Sequence, residues 1–386
     1  MEQDRFPYFF TVADFNNDGK LDVAVPDRSD PDFVELLGDG TGKFAGRHSY
    51  AVNDVTHDSI AIAAGFLDSD TNLDLAVIDG VKVVLLPGNK NGAFRVGTTY
   101  SLGGKAPNWI AVADLNADGK NDVITADTAM NSVSVLLGNG NGTLQNGITY
   151  ATGKSPVFVA AVDVNGDGKL DLLTANAADN TFSVLLASGS GYATHVDYTA
   201  TSPRQLAFGD FNRDGKIDLI SAGQKGSAQV FLGSGTGTFS AGVTLKPGTV
   251  NVSPAVGDLN NDGKLDLVLA DSGSTVVYSY LGNGDGTFGS QMQSTARNKA
   301  EQISLADFDK DGKLDVMMSA GVGVTATSLY LPGKGDGSFR TAQSYTIDYG
   351  PPKQVVGDFN SDGFLDVAMT SGLGGTVTVL LNTGAK

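Results

Sequence analysis

The sequence predicts an all-β protein, a β-propeller of four-stranded antiparallel blades, and three observations predict it. Of the 43 acidic residues only three are Glu, whereas helical proteins favour Glu over Asp. Gly is abundant, with 51 residues among 386, and Asp and Gly together are typical of turns and metal loops. A nine-residue, Asp-rich segment recurs eight times at intervals of 47 to 52 residues, which indicates a repeat architecture.

An intact segment begins with Asp, carries Gly at its sixth position and ends with Asp at its ninth, as in Asp14–Asp22. Seven copies keep this pattern, and the second copy, from Phe66 to Asp74, is degraded. We therefore predict a single propeller domain over residues 1–386 made of eight repeats. Their approximate bounds are 1–52, 53–101, 102–151, 152–199, 200–247, 248–296, 297–347 and 348–386.

Each repeat is expected to contain four short strands. An apolar stretch with small residues, such as Ile110–Ala113, precedes the Asp-rich segment and suits an innermost strand. A β-branched, apolar run such as Val123–Ala126 follows the segment. A third strand, such as Ser132–Leu137, ends in a Gly-rich hairpin, and the fourth strand carries aromatic residues. Four antiparallel strands per repeat of this length indicate a propeller blade.

Eight innermost strands predict eight blades, and a seven-bladed ring with one repeat left over is the alternative. The last repeat reaches only its third strand, Thr376–Leu381. About six residues precede the first inner strand, which is too few for a full closing strand. We therefore expect the ring to close with a truncated outer edge.

The Asp-rich segments have the spacing of a calcium-binding loop. Side-chain oxygens at positions 1, 3, 5 and 9 and the backbone carbonyl at position 7 can surround a hard cation, and Gly at position 6 permits the sharp turn. A plain Asp-Gly turn would not need Asp at position 1 in seven copies and at position 9 in all eight. We predict about seven Ca²⁺ sites with these ligands: Asp14, Asn16, Asp18, Lys20 and Asp22; Asp114, Asn116, Asp118, Lys120 and Asp122; Asp163, Asn165, Asp167, Lys169 and Asp171; Asp210, Asn212, Asp214, Lys216 and Asp218; Asp258, Asn260, Asp262, Lys264 and Asp266; Asp307, Asp309, Asp311, Lys313 and Asp315; Asp358, Asn360, Asp362, Phe364 and Asp366.

Charge supports a mainly structural role for the metal. The formal net charge is −17, and seven Ca²⁺ ions would bring it to −3. Without metal, the crowded carboxylates of each loop repel one another. The second repeat has Phe66 at position 1 and Thr71 at position 6, so we predict that its loop is empty or weak.

Composition excludes several other classes. A net charge of −17 repels phosphate backbones, so nucleic-acid binding is not expected. The longest apolar runs, such as 60–67, are far shorter than the roughly 20 residues that cross a bilayer, so no membrane insertion is expected. Cysteine is absent, which excludes disulfides and thiolate sites. The polar start, Met1–Arg5, does not have the pattern of a leader peptide. The chain is therefore either cytosolic or a mature region without its leader. Because of the calcium loops, we expect the second, with an extracellular or periplasmic location.

The loops and the hairpins of the form Gly-Asn-Gly-Asp-Gly-Thr-Phe, clearest at residues 282–288, resemble the FG-GAP/VCBS family over essentially the whole chain. This family is the calcium-binding propeller repeat of integrin α-subunit heads and of many secreted bacterial proteins, so the resemblance implies calcium and an extracellular location. The integrin version has seven blades, so eight repeats look closer to the bacterial type. Some fungal lectins with such repeats bind sugars between blades.

We expect a monomeric, non-catalytic module that binds a glycan or protein ligand. A lectin with interblade sugar sites is the first alternative, and a polysaccharide-active enzyme is the second. The histidines His48, His57 and His195 are interpreted as surface residues without a partner Glu. Trp109 is either a core residue or a single ligand contact. Tyrosines that recur on the fourth strands are expected to pack there with their hydroxyls in water; they are Tyr50, Tyr100, Tyr150 and Tyr198.

Overall fold

The structure, a computed structural model, describes residues 10–26, 32–51, 59–95, 97–103, 105–322, 325–347, 353–370 and 376–384. Within these residues the chain forms eight antiparallel sheets and one short two-stranded hairpin. The one helical segment in this part of the chain is a 3₁₀ turn at Gln224–Gly226. The predicted eight-bladed, all-β propeller is confirmed, and the seven-bladed alternative is wrong.

Each sheet is one blade, and its strands pair in chain order. Blade 1 contains β1 (Thr11–Ala13), β2 (Asp22–Pro26), β3 (Asp32–Gly38) and β4 (Phe44–Ala51). Blade 2 contains β5 (Ser59–Gly65), β6 (Asp74–Asp79), β7 (Lys82–Leu86) and β8 (Thr99–Ser101). Blade 3 contains β9 (Pro107–Ala113), β10 (Asp122–Asp127), β11 (Ser132–Leu136) and β12 (Ile148–Ala151).

Blade 4 differs because an extra hairpin precedes its fourth strand. Its sheet contains β13 (Pro156–Val162), β14 (Asp171–Asn176), β15 (Thr181–Leu185) and β18 (Val196–Thr199), and the hairpin contains β16 (Ala187–Ser188) and β17 (Gly191–Tyr192). Blade 5 contains β19 (Pro203–Gly209), β20 (Asp218–Gly223), β21 (Ala228–Gly233) and β22 (Phe239–Leu245).

The last three blades complete the ring. Blade 6 contains β23 (Val252–Gly257), β24 (Asp266–Asp271), β25 (Val276–Tyr280) and β26 (Met292–Thr295). Blade 7 contains β27 (Ala300–Ala306), β28 (Asp315–Val322), β29 (Thr325–Leu331) and β30 (Gln343–Ile347). Blade 8 contains β31 (Lys353–Gly357), β32 (Asp366–Thr370) and β33 (Val377–Leu380), so its outermost described strand is the third, in agreement with the sequence.

The first strand of every blade is innermost, because it contacts the first strands of both neighbouring blades, including β1 with β31. The apolar core is correspondingly divided into eight clusters, one at each junction between blades. At the junction that closes the ring, Phe10 and Val23 of blade 1 pack with Phe359 and Ala368 of blade 8. Apolar packing therefore closes the propeller.

Small residues at the ends of the inner strands allow the blades to approach closely, as the sequence predicts. A β-carbon on Gly257 would lie 2.6 Å from Leu314 Cδ1 of the next blade. A β-carbon on Gly357 would lie 2.5 Å from Leu21 Cδ1 at the closing junction. Because real β-carbons do not approach other carbons so closely, a larger residue at either position would require the facing Leu side chain to move.

Candidate metal centre

The Asp-rich segment of each blade is the loop between its first and second strands, so all eight loops lie on one face of the ring. In the seven intact loops the residues at positions 4 and 6 have positive φ, for example 59° at Asn17 and 82° at Gly19. This left-handed backbone is easy for Gly and Asn, and it curls the loop around its own acidic side chains.

The side chains at positions 1, 3 and 5 accept hydrogen bonds from the loop's own backbone in the same way in all seven intact loops. In the first loop, Asp14 Oδ1 and Asn16 Oδ1 both accept from the N–H of Asp18, at 3.0 and 2.9 Å. Asp14 Oδ2 accepts from the N–H of Gly19 at 2.7 Å, and Asp18 Oδ1 accepts from that of Lys20 at 3.0 Å. Each carboxylate oxygen has a second lone pair, so these bonds leave the loop able to ligate a cation.

In the seventh loop the structure brings three of the predicted carboxylate ligands together. Single carboxylate oxygens of Asp307, Asp309 and Asp315 lie within 4.8 Å of one another. This loop has Asp at position 3, where the other six intact loops have Asn and so offer an uncharged amide oxygen. Lys313 Nζ contacts Asp311 Oδ2 at 2.7 Å and thereby offsets part of the negative charge.

The Asp at position 9 has a role that the sequence did not reveal. It is the first residue of the second strand, it is buried, and both of its oxygens accept backbone N–H groups. Asp22 Oδ2 accepts from Phe15 at 2.9 Å, and Oδ1 accepts from Gly38, at the end of the third strand, at 2.8 Å. The same pair of bonds recurs in every blade, including the second, where Asp74 accepts from Leu67 and Gly88. Equivalent carboxylates are Asp122, Asp171, Asp218, Asp266, Asp315 and Asp366.

Position 9 is thus Asp in all eight copies for a structural reason that does not need a metal. One carboxylate joins the loop, the second strand and the end of the third strand. Burial raises the pKa of Asp22 to about 6, against the opposing effect of its two backbone hydrogen bonds. The occurrence of Asp at this position is therefore weaker support for a metal than the sequence suggested, and the support rests mainly on positions 1, 3 and 5.

The degraded loop of blade 2 folds differently. Ser69 and Thr71, at its positions 4 and 6, do not have positive φ, and Phe66 is half exposed to solvent in place of the first Asp. Its polar groups instead contact neighbouring blades: Asn72 accepts from Asn17 Nδ2 of blade 1 at 3.1 Å. Asp68 forms a β-bridge with Gly140 of blade 3.

The recurring tyrosines of the fourth strands join neighbouring blades. The hydroxyl of Tyr100 accepts from the backbone N–H of Leu144, in the next blade, at 2.7 Å. Tyr50 accepts in the same way from Phe94 at 3.1 Å, and Tyr198 accepts from Phe239 at 3.3 Å. The expectation that these residues pack on the outer strands is correct. At these three positions the hydroxyl also bonds a backbone N–H of the next blade, a contact that the sequence did not indicate because its partner lies more than 40 residues away.

Sequence reasoning also missed Glu35, the partner of His48. Glu35 is fully buried on β3, directly opposite His48 on β4. Its Oε2 lies 3.0 Å from His48 Nδ1 and accepts from the Tyr50 hydroxyl at 3.1 Å. Burial raises the pKa of Glu35 to about 7, although the bonds from His48 and Tyr50 act against the rise. Residues 35 and 48 face each other across the Gly40–Gly42 hairpin, and this pairing follows only once the register of β3 and β4 is known.

The other singled-out residues have ordinary surroundings. Trp109 packs against Phe158 of the neighbouring inner strand, with ring centroids 4.6 Å apart, and is half buried. His195 Nδ1 lies 2.9 Å from Asp197 Oδ1 at the surface. His57 lies outside the described residues. No helix among the described residues is long and apolar enough to span a bilayer.

A cavity of about 100 Å³ lies between blades 3 and 4. Ile148 and Tyr150 of β12 line one side, and Ser190, Gly191 and Tyr192 of the extra hairpin line the other. The two tyrosine rings meet edge to face, with centroids 5.2 Å apart.

The cavity exists because the hairpin of blade 4 stands away from its Asp loop. In five other blades the lysine at position 7 packs its stem against a hairpin glycine, as Lys120 does against Gly140. The equivalent Gly189 has no atom within 4 Å of where a β-carbon would lie. Lys169 instead lines the cavity.

Comparison with known proteins agrees with this repeat architecture. A family model described as an FG-GAP-like repeat matches the chain five times, at residues 67–125, 114–174, 163–221, 210–269 and 258–318. Each match extends from one Asp loop through the next. No curated protein sequence matches the chain.

Several solved structures share the fold at low sequence identity. One is an Agrocybe aegerita lectin that recognises non-reducing terminal N-acetylglucosamine, with a TM-score of 0.54, 17% identity, and coverage of 92% of this chain and 94% of the lectin. Another is the Pseudomonas aeruginosa periplasmic gluconolactonase, with a TM-score of 0.53, 16% identity and coverage of 90% and 97%. A third is BBS1N in complex with ARL6DN, with a TM-score of 0.52, 11% identity and coverage of 98% and 93%. Since these proteins include a lectin and a lactonase, the shared fold does not decide between binding and catalysis.

Proposed function

The chain belongs to the FG-GAP-like repeat family, and from that premise we propose that it is a secreted, non-catalytic, Ca²⁺-stabilised binding module for a glycan or protein. The observation that carries the proposal is the common geometry of the seven intact loops, in which positions 1, 3 and 5 present oxygens around one curled backbone. Loops of this kind bind Ca²⁺ where its concentration is millimolar, so the proposed location of the protein is the cell exterior or the periplasm.

The proposed ligands are the side chains at positions 1, 3, 5 and 9 and the carbonyl at position 7 of each intact loop. The carboxylates of Asp307, Asp309 and Asp315 fit a hard cation best, because three anionic oxygens already lie close together there. Bound calcium would offset the mutual repulsion of the carboxylates and hold the first and second strands together. Its proposed role is structural.

Counting bound Ca²⁺ tests the metal assignment. Equilibrium dialysis of the stripped protein should give about seven ions per chain. Asp214→Ala, at position 5 of an intact loop, should remove about one ion, whereas Asp70→Ala, at position 5 of the degraded loop, should remove none. A wild-type protein that binds no Ca²⁺ at millimolar concentration would refute the assignment.

A non-catalytic role is supported by the chemistry of the cavity between blades 3 and 4. Its lining residues include no carboxylate or imidazole, and burial raises the pKa of Tyr192, which makes that hydroxyl a weaker acid. Two carboxylate–imidazole pairs are described above. Glu35 with His48 has its carboxylate buried between strands, where a substrate would not reach it. Asp197 with His195 lies at the surface and does not line the cavity. These positions favour binding over turnover.

A lectin is the second candidate, and the same cavity is the observation that favours it. Its volume of about 100 Å³ is several times the roughly 10–15 Å³ of the same measure that holds one water molecule. Its tyrosine rings offer apolar faces, and Ser190 and Lys169 offer polar groups, which together suit a sugar ring.

A glycan screen in millimolar Ca²⁺, repeated after chelation, tests this candidate. Saturable binding to one sugar class should disappear in Ser190→Phe, which fills the cavity. The matched change Thr236→Phe, at the equivalent hairpin position of blade 5, should leave binding intact. A blank screen would exclude the lectin and leave a protein ligand.

A further inference from the structure

The hairpin of blade 4 is one residue shorter than the hairpins of the other blades that have a described fourth strand. In blade 3 five residues lie between the paired residues Gly138 and Leu144, and the same number separates the equivalent pair in blades 1, 2, 5, 6 and 7. In blade 4 the pair is Ala187 and Tyr192, with four residues between them. The shorter segment folds into the tight pair β16–β17, which stands away from the Asp loop of its own blade and leaves the cavity between blades 3 and 4.

The shorter hairpin also leaves the side chain of Lys169 without the partner that equivalent lysines have. In five other blades the lysine at position 7 packs its stem on the hairpin and forms an ion pair with the Asp at position 5, with 2.7 to 3.8 Å between Nζ and the carboxylate oxygen. These lysines are Lys20, Lys120, Lys216, Lys264 and Lys313. The Nζ of Lys169 makes no ion pair or hydrogen bond with the residues that the structure describes, and this exposed side chain lines the cavity.

The hydroxyl of Tyr150, on β12, has also lost the bond that its equivalents make. At the preceding junction the hydroxyl of Tyr100 accepts from the backbone N–H of Leu144. Within the described part of the chain the Tyr150 hydroxyl makes no hydrogen bond, although it lies so close to the hairpin that a β-carbon on Gly191 would be 2.5 Å from it. Tyr150 lines the same cavity as Lys169, so two polar groups that are bonded elsewhere in the ring are available there.

The lining of the cavity defines the chemistry of a ligand. Of the described residues that line it, Lys169 alone carries a formal charge, so the cavity favours an anionic group. The rings of Tyr150 and Tyr192 offer apolar surface for the face of a sugar ring. An acidic side chain of a peptide would pair with Lys169 but has no ring to cover the tyrosines.

We propose that the cavity between blades 3 and 4 binds a sugar that carries a carboxylate, a uronic acid residue. Its carboxylate pairs with the Nζ of Lys169, and its ring lies against the tyrosines. The hydroxyl of Tyr150 exchanges a hydrogen bond with a sugar hydroxyl. This inference rests on the lectin candidate proposed above and names the class of sugar.

Calcium should matter more for an acidic sugar than for a neutral one. The cavity lies beside two Asp loops, because Asn116 is at position 3 of the loop of blade 3 and Lys169 is at position 7 of the loop of blade 4. Without metal, the carboxylates of these loops repel an anionic ligand, and bound Ca²⁺ would offset the repulsion. Chelation is therefore expected to weaken binding of the acidic sugar more than binding of its neutral counterpart.

Matched sugars that differ only at the carboxylate test the proposal. The full chain in millimolar Ca²⁺ at pH 7 is titrated, with NMR detection, against methyl glucuronide and methyl glucoside, and against methyl galacturonide and methyl galactoside. We expect one uronide to bind saturably at one site, about threefold to fivefold tighter than its neutral counterpart, because an exposed ion pair is only modestly stabilising. The preference should shrink as salt is added.

Three variants locate the effect. Lys169→Met should abolish the preference for the uronide, and Tyr150→Phe, which keeps the ring, should weaken binding of both sugars. The control Lys154→Met removes the same charge from an exposed residue of blade 4 that precedes the innermost strand, on the face opposite the Asp loops, and should keep the preference. An unchanged count of bound Ca²⁺ verifies that each variant folds.

Several results would overturn the proposal. They are equal affinity for the acidic and neutral sugars, a preference that survives in Lys169→Met, no binding of any of the four sugars, or binding of an N-acetylglutamate amide as tight as that of the uronide. Equal affinity would leave the lectin candidate in place, and an absence of binding would remove this inference while leaving the calcium count unchanged. The failure of this inference and the failure of the proposed function can therefore be told apart.

Discussion

At the scale of single residues, the Asp loops combine two functions that their sequence spacing does not separate. Positions 1, 3 and 5 are at or near the surface and accept hydrogen bonds only within the loop. Position 9 is buried and joins three parts of the blade. Metal binding is therefore expected mainly at the exposed positions, and metal-independent stability at the buried one.

Substitutions in the loop of blade 5 should separate these functions. Asp218→Asn, at position 9, replaces an oxygen acceptor by an NH₂ group against a buried backbone N–H. In chelator, this change should lower the free energy of unfolding by about 1–3 kcal/mol. Asp214→Asn, at exposed position 5, should change it by no more than about 0.5 kcal/mol in chelator. Denaturant titrations measure both values, and equal effects would contradict the division of roles.

In millimolar Ca²⁺ the Asp214→Asn variant should lose stability relative to the wild type. The expected loss is up to about 1.4 kcal/mol, the value for complete loss of one site filled at tenfold excess over its Kd; the amide oxygen of Asn, which carries no charge, is a weaker ligand. If Ca²⁺ stabilises the Asp214→Asn variant as much as the wild type, that loop does not bind the ion.

Glu35 should make stability depend on pH. Its folded pKa of about 7 is above its ordinary 4.5, so its contribution to stability is complete below pH 4.5 and is lost as pH rises through 7. Glu35→Gln cannot ionise and should become progressively more stable than the wild type between these values. His48, Tyr50 and Asp22 also influence the pKa of Glu35, and all three are the same in the variant and the wild type.

Denaturant titrations at several pH values measure this difference. The control Asp39→Asn should show no such rise, because hydrogen bonds from Thr41 lower the pKa of Asp39. A Glu35→Gln difference that is flat between pH 4.5 and 8 would contradict the burial of an ionisable Glu35.

At the scale of strands and hairpins, the fourth strand of one blade is fixed by the hairpin of the next. Tyr100→Phe removes the acceptor for the N–H of Leu144, which is buried. The expected cost is about 1–2 kcal/mol in the free energy of unfolding. Tyr345→Phe should cost little, since that hydroxyl is bonded within an exposed strand. A result in which both variants cost the same would contradict the role given to the junctions.

The elements themselves could largely be predicted from the sequence. The repeat period, the loops and the Gly-rich hairpins are local patterns, so they identified the strands and the blade count. The contacts of Tyr50, Tyr100 and Tyr198 were not predictable in the same way, because each joins residues in different blades. The pairing of Glu35 with His48 depends on the hairpin register, which local propensity does not specify. The cavity beside Tyr192 depends on one hairpin that departs from the others.

At the scale of the whole molecule, stability is distributed over eight similar junctions and a ring of acidic loops. The innermost strands form a closed series of contacts, and the last junction is closed by Phe10, Val23, Phe359 and Ala368. The acidic loops concentrate negative charge on one face, and seven Ca²⁺ ions would reduce the formal charge from −17 to −3. Calcium is therefore expected to stabilise the whole ring.

The size of that effect can be bounded. A site with a Kd of about 0.1 mM at about 1 mM free Ca²⁺ contributes roughly 1.4 kcal/mol, and seven independent sites contribute on the order of 10 kcal/mol as an upper bound. Each kcal/mol shifts the Tm of a large domain by about 2 °C or less. A shift on the order of 10 °C is therefore expected.

A thermal melt of metal-stripped protein, with and without millimolar Ca²⁺, measures whether the ion stabilises the ring. We expect Ca²⁺ to raise the Tm by on the order of 10 °C and excess chelator to reverse the rise. A Tm that is the same in Ca²⁺ and in chelator would contradict a calcium-stabilised propeller.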